Sequence, residues 1–427
     1  MKTKQLLIIP AITAAVIAAG CKDGKQNEPI PPTPDTPIVE YDTTYAERIK
    51  IDTVGCDTVV KDTTIDLQND RVIIGYVYSG FSTLPDPFLN THICYAFAKL
   101  DMSTDSVYQG FTVQNESMFK KVVALKQKNP DLKIQLSFSN SAGGGGFSRM
   151  SSVPAYRKQF AKDCKAFCQK WGIDGVDLDW EFPGMAYNSS YLYDSKHDVD
   201  NYTLLFKDIR EEFGNEYLLT YAGPNENKQK TSDGGYRYVD IMAVEPYVNW
   251  VNLMCYDFAS APNPHNAVYA FNAYWDINRT WQAYKRAGHP MEKCVLGVAF
   301  YGRHEFDNDK EWMYKEINDV LLKSFKDIYS YKYVGGEGTW NVPVLYKNGE
   351  MWCSYDDPTS IAYKGGWALR KGMIGLMYWE VEGDNGRKDL QHACWNSMKK
   401  ETIKDTTFIF VTDTVHYTDT IITPKKK

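Results

Sequence analysis

The sequence lacks the features that mark several common functional classes. Its 48 Lys and Arg residues are outnumbered by 54 Asp and Glu residues, and a net charge of -6 gives no basic surface for nucleic acid. No Cys-x-x-Cys pair or Cys/His cluster suggests a metal site. No Gly-x-Gly-x-x-Gly sequence follows the first predicted strand, as a dinucleotide site would require. We therefore expect no nucleic-acid partner, no metal and no cofactor.

The N-terminal apolar run is too short for a comfortable membrane span. Residues 1–21 combine a basic start, MKTKQ, with the run LLIIPAITAAVIAA and small residues directly before Cys21. This pattern is typical of a bacterial lipoprotein signal, with Cys21 as the acylated N-terminus. An ordinary secretory signal is the alternative. The lipoprotein interpretation predicts an exported protein, attached by lipid at the periplasmic or the cell-surface face of a membrane.

Eight cysteines follow Cys21, and an even number in an exported chain would suit disulfides. Several of them lie in or beside apolar runs, where cysteine packs as a small hydrophobic residue, including Cys94, Cys255 and Cys294. We therefore expect mostly free, buried thiols.

Composition divides the remainder of the chain into a core and its flanks. Residues 22–40 are polar and rich in proline, as in a tether. Residues 41–69 and 401–427 alternate polar with β-branched or aromatic side chains, which is a strand pattern. These two arms either pair in a small sheet or form disordered flanks. The core between them spans residues 70–400.

Short apolar runs alternate with amphipathic helical patterns throughout the core. The eight runs are VIIGYVY, HICYAFAKL, KIQLSFS, GVDLDW, YLLTYA, VNLMCY, VLGVAFY and IGLMYWE. This order predicts a (β/α)8 TIM barrel, with a doubly wound open sheet as the alternative. The longest gap, residues 304–358, contains helix-like and hairpin-like patterns and predicts a compact insertion before the eighth strand.

The fourth run is unusually acidic for a buried strand. On a strand alternate side chains share a face, so Asp177, Asp179 and Glu181 point one way. In a barrel that face is the interior, with Glu181 nearest the C-terminal mouth. Asp174 is out of phase and is expected to cap or turn the chain. Burying adjacent carboxylates is costly, and such strain is typical of a functional site.

Two other interpretations fit the acidic run less well. An exposed edge strand would not be apolar on its other face, and a metal site would not draw its ligands from one strand without histidine. Asp177 and Asp179 can share a proton beneath Glu181, which would raise the pKa of Glu181 and favour a general acid. No second, nucleophilic carboxylate stands out, although Glu380 and Glu382 are candidates.

The segment DGVDLDWEFPG resembles the DGxDxDxE signature of family-18 glycoside hydrolases, the chitinase family. The resemblance covers about residues 70–398. It extends, in barrel order, to IIGYVY, THICYAFAKLD, MCYDF (254–258), GVAFYGR (297–303), SYDDPTSI (354–361) and GLMYWE (375–380). It implies hydrolysis of β-1,4-linked N-acetylglucosamine chains, chitin or chito-oligosaccharides, with the substrate's acetamido carbonyl as nucleophile.

The resemblance also implies residue roles. Glu181 would protonate the glycosidic oxygen and then activate water. Asp179 would turn to the acetamido N–H, with Asp177 as its proton partner. Tyr256 would orient the acetamido oxygen, and Trp379 would form the floor under the cleaved sugar. Further residues would line the pocket: Met254, Asp257, Tyr76, Phe97, Tyr301 and Arg303.

The sequence departs from the family pattern in two places. The glycines after Ser137 come later than in the family's SxGG motif, at 143–146, which predicts an altered loop on the non-reducing side. The compact insertion predicts a shallower cleft. An endo-β-N-acetylglucosaminidase acting on N-glycans is the alternative enzyme, and a glycan-binding lectin on an inactive scaffold is the alternative of another class. The presence of Glu181 argues against the lectin.

Overall fold

The computed structural model describes residues 71–398 except for 140–145, 186–191, 226–237, 271–274, 306–310 and 323–327, together with the backbone of six short strands in the arms. The predicted signal, Cys21, the tether and most of the altered glycine loop lie outside the described residues. Within them, no helix is both long enough and apolar enough to cross a membrane.

Eight parallel strands form a closed barrel, which confirms the (β/α)8 prediction. The strands are β1 (Val72–Tyr78), β2 (His92–Met102), β3 (Lys133–Ser139), β4 (Gly175–Asp179), β5 (Leu218–Gly223), β6 (Trp250–Leu253), β7 (Cys294–Ala299) and β8 (Gly375–Trp379). Each pairs with its neighbours in chain order, and β8 pairs with β1 to close the sheet. Closure leaves the barrel without an exposed edge and brings all eight C-terminal strand ends to one mouth.

Helices surround the barrel. They are α1 (Glu116–Val123), α2 (Gly146–Ser152), α3 (Pro154–Trp171), α4 (Asp198–Phe213), α5 (Ile241–Val244), α6 (Ile277–Ala287), α7 (Tyr314–Leu322), α8 (Pro358–Arg370) and α9 (Asp389–Met398). The longest, α3, begins at a proline and ends at Gly172, whose φ of 62° suits glycine. Its buried face includes Phe160 and Cys164. The chain continues from Gly172 directly into β4.

The predicted insertion lies between β7 and α8. It contains α7 and a three-stranded antiparallel sheet of Tyr329–Val334, Val342–Lys347 and Glu350–Ser354. A short strand, Trp312–Met313, pairs with Tyr301–Gly302 immediately after β7. Outside the insertion, the strand Tyr108–Val113 pairs antiparallel with the end of β2 and forms a hairpin with it.

The arms form a separate unit of short antiparallel pairs. Arg48–Ile51 pairs with Val415–Thr418, Gly55–Cys56 with Phe410–Val411, and Lys61–Asp66 with Thr402–Thr407. Every pair joins the N-terminal arm to the C-terminal arm. In the barrel unit, seven cysteines are free and buried: Cys94, Cys164, Cys168, Cys255, Cys294, Cys353 and Cys394.

A fully buried ion pair joins the end of the insertion to the barrel. Lys364 Nζ lies 2.6 and 2.8 Å from the two carboxylate oxygens of Asp356, and both side chains have no exposed surface. Asp356 also accepts hydrogen bonds from Ser360 Oγ and from the backbone N of Ala299 in β7. The pair therefore fixes α8 and the insertion's last strand against the barrel wall.

We predict that Lys364→Met lowers the free energy of unfolding by about 3–5 kcal/mol, because it leaves Asp356 buried without its counter-charge. Urea unfolding measures the change. As a control, Lys388→Met removes the half-exposed pair with Asp86, which is 2.7 Å long, and is expected to cost less than about 1 kcal/mol. Equal losses in the two variants would contradict this account.

Candidate active site

The three acidic residues of the fourth strand line the inside of the barrel mouth. Asp177 and Asp179 belong to β4, and Glu181 follows two residues after Asp179. Asp177 is fully buried and Asp179 is 6% exposed. Val176 and Leu178, on the opposite face, are buried in the core cluster with the surrounding helices. The strand period thus produces the predicted separation of acids and apolar side chains.

Asp177 lies deepest, and four donors satisfy its carboxylate. Its Oδ2 accepts from Tyr76 (2.9 Å) and Ser137 (2.7 Å), and its Oδ1 accepts from Thr220 (2.6 Å) and Asn252 (3.2 Å). Burial raises the pKa of Asp177, and these hydrogen bonds oppose the rise. All four donors come from different barrel strands.

Asp179 and Glu181 share a side-chain hydrogen bond. Burial, followed by the charges of Glu181 and Asp177, raises the pKa of Asp179 well above its ordinary value. The other oxygen of Asp179, Oδ1, is buried and has no hydrogen-bond partner among the described residues. Two carboxyl groups in one hydrogen bond cannot both ionise cheaply, so the pair retains a proton near neutral pH.

The structure differs from the predicted proton sharing in one respect. Asp177 was expected to share a proton with Asp179, but its donors already occupy both of its oxygens, and Asp179 bonds to Glu181 instead. The pKa of Glu181 is raised to about 7, first by burial and then by the charge of Asp257. The charge that acts most on Glu181 therefore comes from the loop after β6 and not from its own strand.

Asp257 is fixed by a bidentate ion pair. Arg303 Nε lies 2.6 Å from Asp257 Oδ1, and Arg303 Nη2 lies 3.0 Å from Oδ2. Arg303 also contacts Glu311 at 3.4 Å. Although burial raises the pKa of Asp257, hydrogen bonds from His265 and Arg303 and the charge of Arg303 lower it overall. Asp257 is consequently an anion beside Glu181.

Tyr256 lies just beyond β6, which ends at Leu253 and is shorter than the sequence predicted. Its ring is buried, and its hydroxyl lies 3.8 Å from the Met377 sulfur. Burial raises the pKa of Tyr256, as do the charges of Asp179, Asp257 and Glu181, in that order. The phenol therefore keeps its proton and is a donor next to the acidic pair.

Trp379, at the end of β8, is the centre of an aromatic surface. Its ring stacks on Phe97 with centroids 5.7 Å apart and an interplanar angle of 20°. It also contacts Tyr76 at 5.8 Å and Tyr78 at 6.0 Å. Met254 packs against the same cluster, which also contains Tyr256 and Tyr301. A half-buried indole held in this way offers a flat apolar face to a ligand.

The other candidate carboxylates lie apart from the acidic pair. Glu380 is buried and accepts a hydrogen bond from the backbone N of Glu382, while Glu382 forms an ion pair with Lys315 at 2.5 Å. The charge acting on Glu181 comes from Asp257 and not from either of them. Asp174, at the other end of the strand, bonds to Lys126 and to the backbone N of Ile134.

Two donors to Asp177 were missed from the sequence. Thr220 and Asn252 are polar residues in the middle of the apolar runs YLLTYA and VNLMCY. A polar side chain at an inward position of a barrel strand is the signal that could have found them.

Among the described residues, no group of His, Cys, Asp and Glu side chains is arranged to bind a metal ion.

Comparison with known families identifies this arrangement. The sequence profile described as glycosyl hydrolases family 18 matches residues 72–384, which span the barrel from β1 to beyond β8. The chain belongs to glycosyl hydrolases family 18. This finding confirms the predicted family.

Family 18 relatives include bacterial chitinases. The chain is 30% identical over 370 residues to chitinase A1 of Niallia circulans, covering 77% of this chain and 48% of that protein. It is 29% identical over 335 residues to chitinase C of Streptomyces lividans, covering 74% of this chain and 52% of that protein. The chain thus spans about half the length of these two relatives.

Solved structures of the family share the fold. A family 18 N-acetylglucosaminidase from Paenibacillus barengoltzii superposes with a TM-score of 0.64 at 26% identity, covering 77% of this chain and all of that chain. A class V chitinase from Nicotiana tobaccum superposes with a TM-score of 0.66 at 24% identity, covering 77% of this chain and 99% of that chain. The second likeness concerns the fold alone.

We predict that Asp257→Asn lowers the pKa of Glu181 by roughly one unit, because it removes the neighbouring negative charge. Carbon-13 NMR of labelled glutamate carboxyl groups measures this pKa, and the spectrum of Glu181→Gln assigns the signal. Asp174→Asn, at the opposite end of the same strand, is the control and should leave the titration unchanged. An unchanged Glu181 pKa in Asp257→Asn would show that Asp257 is not the relevant charge.

Proposed function

We propose that this protein hydrolyses β-1,4-linked N-acetylglucosamine chains, chitin or chito-oligosaccharides, by substrate-assisted retaining catalysis. One observation carries the proposal: the hydrogen-bonded pair of Asp179 and Glu181 lies beside the Tyr256 phenol at the barrel mouth. Similarity to chitinases over three quarters of the chain supports the substrate class.

Glu181 is the general acid in this proposal. Its pKa of about 7 leaves a large fraction of it protonated near neutral pH, so it can give a proton to the glycosidic oxygen as the bond to the leaving sugar breaks. The acetamido carbonyl of the same substrate attacks the anomeric carbon and forms an oxazolinium ion. Glu181, now a carboxylate, takes a proton from the water that opens this ion and returns the product with retained configuration.

Asp179 and Tyr256 serve the acetamido group. The unpartnered Asp179 Oδ1 is available to accept the acetamido N–H, and the negative charge of Asp179 would stabilise the positive charge that develops on the ring. Tyr256, a protonated donor, would bond to the acetamido oxygen and align it for attack. Trp379 would form the apolar floor beneath the sugar.

A nucleophilic carboxylate is not needed in this scheme, and three of the neighbouring acids are already engaged. Asp177 is occupied by four donors, Asp257 by Arg303, and Glu382 by Lys315.

An endo-β-N-acetylglucosaminidase would use the same residues on an N-glycan. A product profile on chito-oligosaccharides and on a high-mannose glycoprotein, run side by side, separates the two substrates.

We predict that Glu181→Gln lowers kcat on chito-oligosaccharides by about 10²–10⁴-fold, because the amide cannot donate the required proton. Calorimetry with the same oligosaccharide should show binding within a few-fold of the wild type, since the floor and the acetamide contacts remain. Glu382→Gln, a rim acid paired with Lys315, is the matched control and should keep near-normal activity. A Glu181→Gln variant with near-full activity would show that the acid is misassigned.

A further inference from the structure

Two polar side chains lie deeper in the barrel than the donors to Asp177. Gln135 comes two residues before the donor Ser137 on β3. Trp250 comes two residues before the donor Asn252 on β6. Because alternate residues of a strand share a face, both side chains point into the barrel, further from its mouth. Gln135 has no exposed surface and Trp250 is 6% exposed, so both must use their polar atoms inside the protein.

Trp250 fixes the direction of the Asn252 amide, because an indole N–H can only donate. Trp250 Nε1 donates to Asn252 Oδ1 at 3.1 Å, which places the amide nitrogen on the opposite side. That nitrogen donates to Asp177 Oδ1 at 3.2 Å and to the Tyr76 hydroxyl at 3.1 Å. Since the phenol oxygen receives this bond, its own proton is available to Asp177 Oδ2, 2.9 Å away.

Gln135 fixes the direction of the Thr220 hydroxyl in a similar way. A backbone carbonyl can only accept, so the Gln135 atom that lies 2.9 Å from Val176 O is the amide nitrogen. The same Nε2 donates to Thr220 Oγ1 at 2.9 Å. The Thr220 hydroxyl has a single proton, and Asp177 Oδ1 accepts it at 2.6 Å. This orientation is kept although Gln135 Oε1 is buried without a partner among the described residues.

These directions leave Asp177 as an acceptor only. Its Oδ1 faces two donors whose orientation is fixed, and its Oδ2 faces a third. The fourth donor, the hydroxyl of Ser137, can rotate. A proton on Oδ1 would point at an N–H or O–H group, so the ionised carboxylate is the form that fits this cage. A negative charge held beneath Asp179 keeps the proton of the site on the acidic pair.

We propose that Trp250 and Gln135 are positioning residues for the hydrolysis, because together they hold Asp177 as an anion beneath the acidic pair. They act through Asn252 and Thr220 and do not touch the substrate. The proposal rests on the proposed function and adds to it the residues that set the direction of the hydrogen bonds below the general acid.

The ionisable groups around Asp177 limit what else could carry such an effect. They are Tyr76, Cys94, Tyr202 and Asp179. Burial raises the pKa of both phenols and of the thiol well above their ordinary values, so all three are neutral near pH 7. His92 packs edge-on against Trp250 with centroids 5.0 Å apart, and burial lowers its pKa to about 4. A change at Gln135 leaves this ring contact in place and therefore separates any effect of His92.

The test removes each outer donor while keeping most of the shape of its side chain. Trp250→Phe lacks the indole N–H, and Gln135→Met lacks the amide. In either variant an inner side chain, Asn252 or Thr220, is free to turn its oxygen toward Asp177 and to accept a proton from it. The pKa of Asp177 then rises. Because the anion offsets the positive charge that develops on the sugar, kcat/KM falls once Asp177 is protonated, so this acidic limb moves to higher pH.

We expect the acidic limb of kcat/KM on chito-oligosaccharides to move to higher pH by roughly half a unit or more in each variant. The basic limb, which reports Glu181, should stay in place, because Asp177 is ionised on that side of the profile in every variant. Carbon-13 NMR of labelled aspartate carboxyl groups should show the pKa of Asp177 raised by a similar amount. The spectrum of Asp177→Asn assigns the signal.

Two controls separate positioning from packing. Trp367 is 2% exposed on α8, outside the barrel, and its indole N–H donates to the Tyr269 hydroxyl at 3.0 Å. Trp367→Phe removes an equally buried bond and should lower the melting temperature without moving either limb. In a Thr220→Val background, Gln135→Met should add no further shift, because the group through which it acts is gone.

The outcomes are distinct. Trp250→Phe and Gln135→Met variants that lose only melting temperature, with the wild-type acidic limb and Asp177 pKa, would overturn the proposal. A Gln135→Met shift that persists in full in Thr220→Val would overturn it as well. A wild-type protein that hydrolyses no chito-oligosaccharide at any pH would contradict the proposed function instead. In that case the NMR titration of Asp177 in the two variants still decides whether Trp250 and Gln135 hold it as an anion.

Discussion

The hydrogen bond between Asp179 and Glu181 is the interaction on which the rest of the site depends. A buried carboxyl group (Asp179) and a half-buried one (Glu181) in contact are stable near neutral pH only if they retain a proton between them. That proton is what a general acid must deliver, and the strand period places it at the barrel mouth. The like charges in DGVDLDWE are therefore not a defect of a buried strand: they raise the pKa of Asp179, while burial and the charge of Asp257 raise the pKa of Glu181, so the pair retains a proton.

The barrel supports this pair by dividing the charges among separate strands. Asp177, directly below, is satisfied by one donor from each of four strands: Tyr76 of β1, Ser137 of β3, Thr220 of β5 and Asn252 of β6. Asp257, after β6, is paired with Arg303, after β7. Asp179 and Glu181 are left to share a proton. A closed sheet makes this possible because side chains from opposite strands meet at its centre.

Most of the fold, and the placement of the acidic residues of the fourth strand at the barrel mouth, could be predicted from the sequence. Alternating apolar runs and helical patterns predict the eight strands, and the period of two places Asp177, Asp179 and Glu181 on the inner face. Side-chain contacts between residues far apart in the sequence could not be predicted, because they depend on which strands lie next to or opposite one another in the barrel. Asp177 thus takes its donors from other strands, and the charge on Glu181 comes from Asp257, 76 positions away in the chain. A single polar residue within an apolar strand, such as Asn252, indicates a hydrogen-bonding role inside the barrel. It is easily overlooked, because a strand can also carry an isolated polar residue that has no such role.

The central claim is that the acidic pair assists an acetamido nucleophile. A thiazoline analogue of the oxazolinium ion, tested with wild type and Asp179→Asn, examines it most directly, since the site should be complementary to that intermediate. The account predicts competitive inhibition of the wild type, much weaker inhibition of Asp179→Asn, and no covalent adduct by mass spectrometry during turnover. Absence of inhibition together with a glycosyl-enzyme adduct on Glu380 or Glu382 would contradict it.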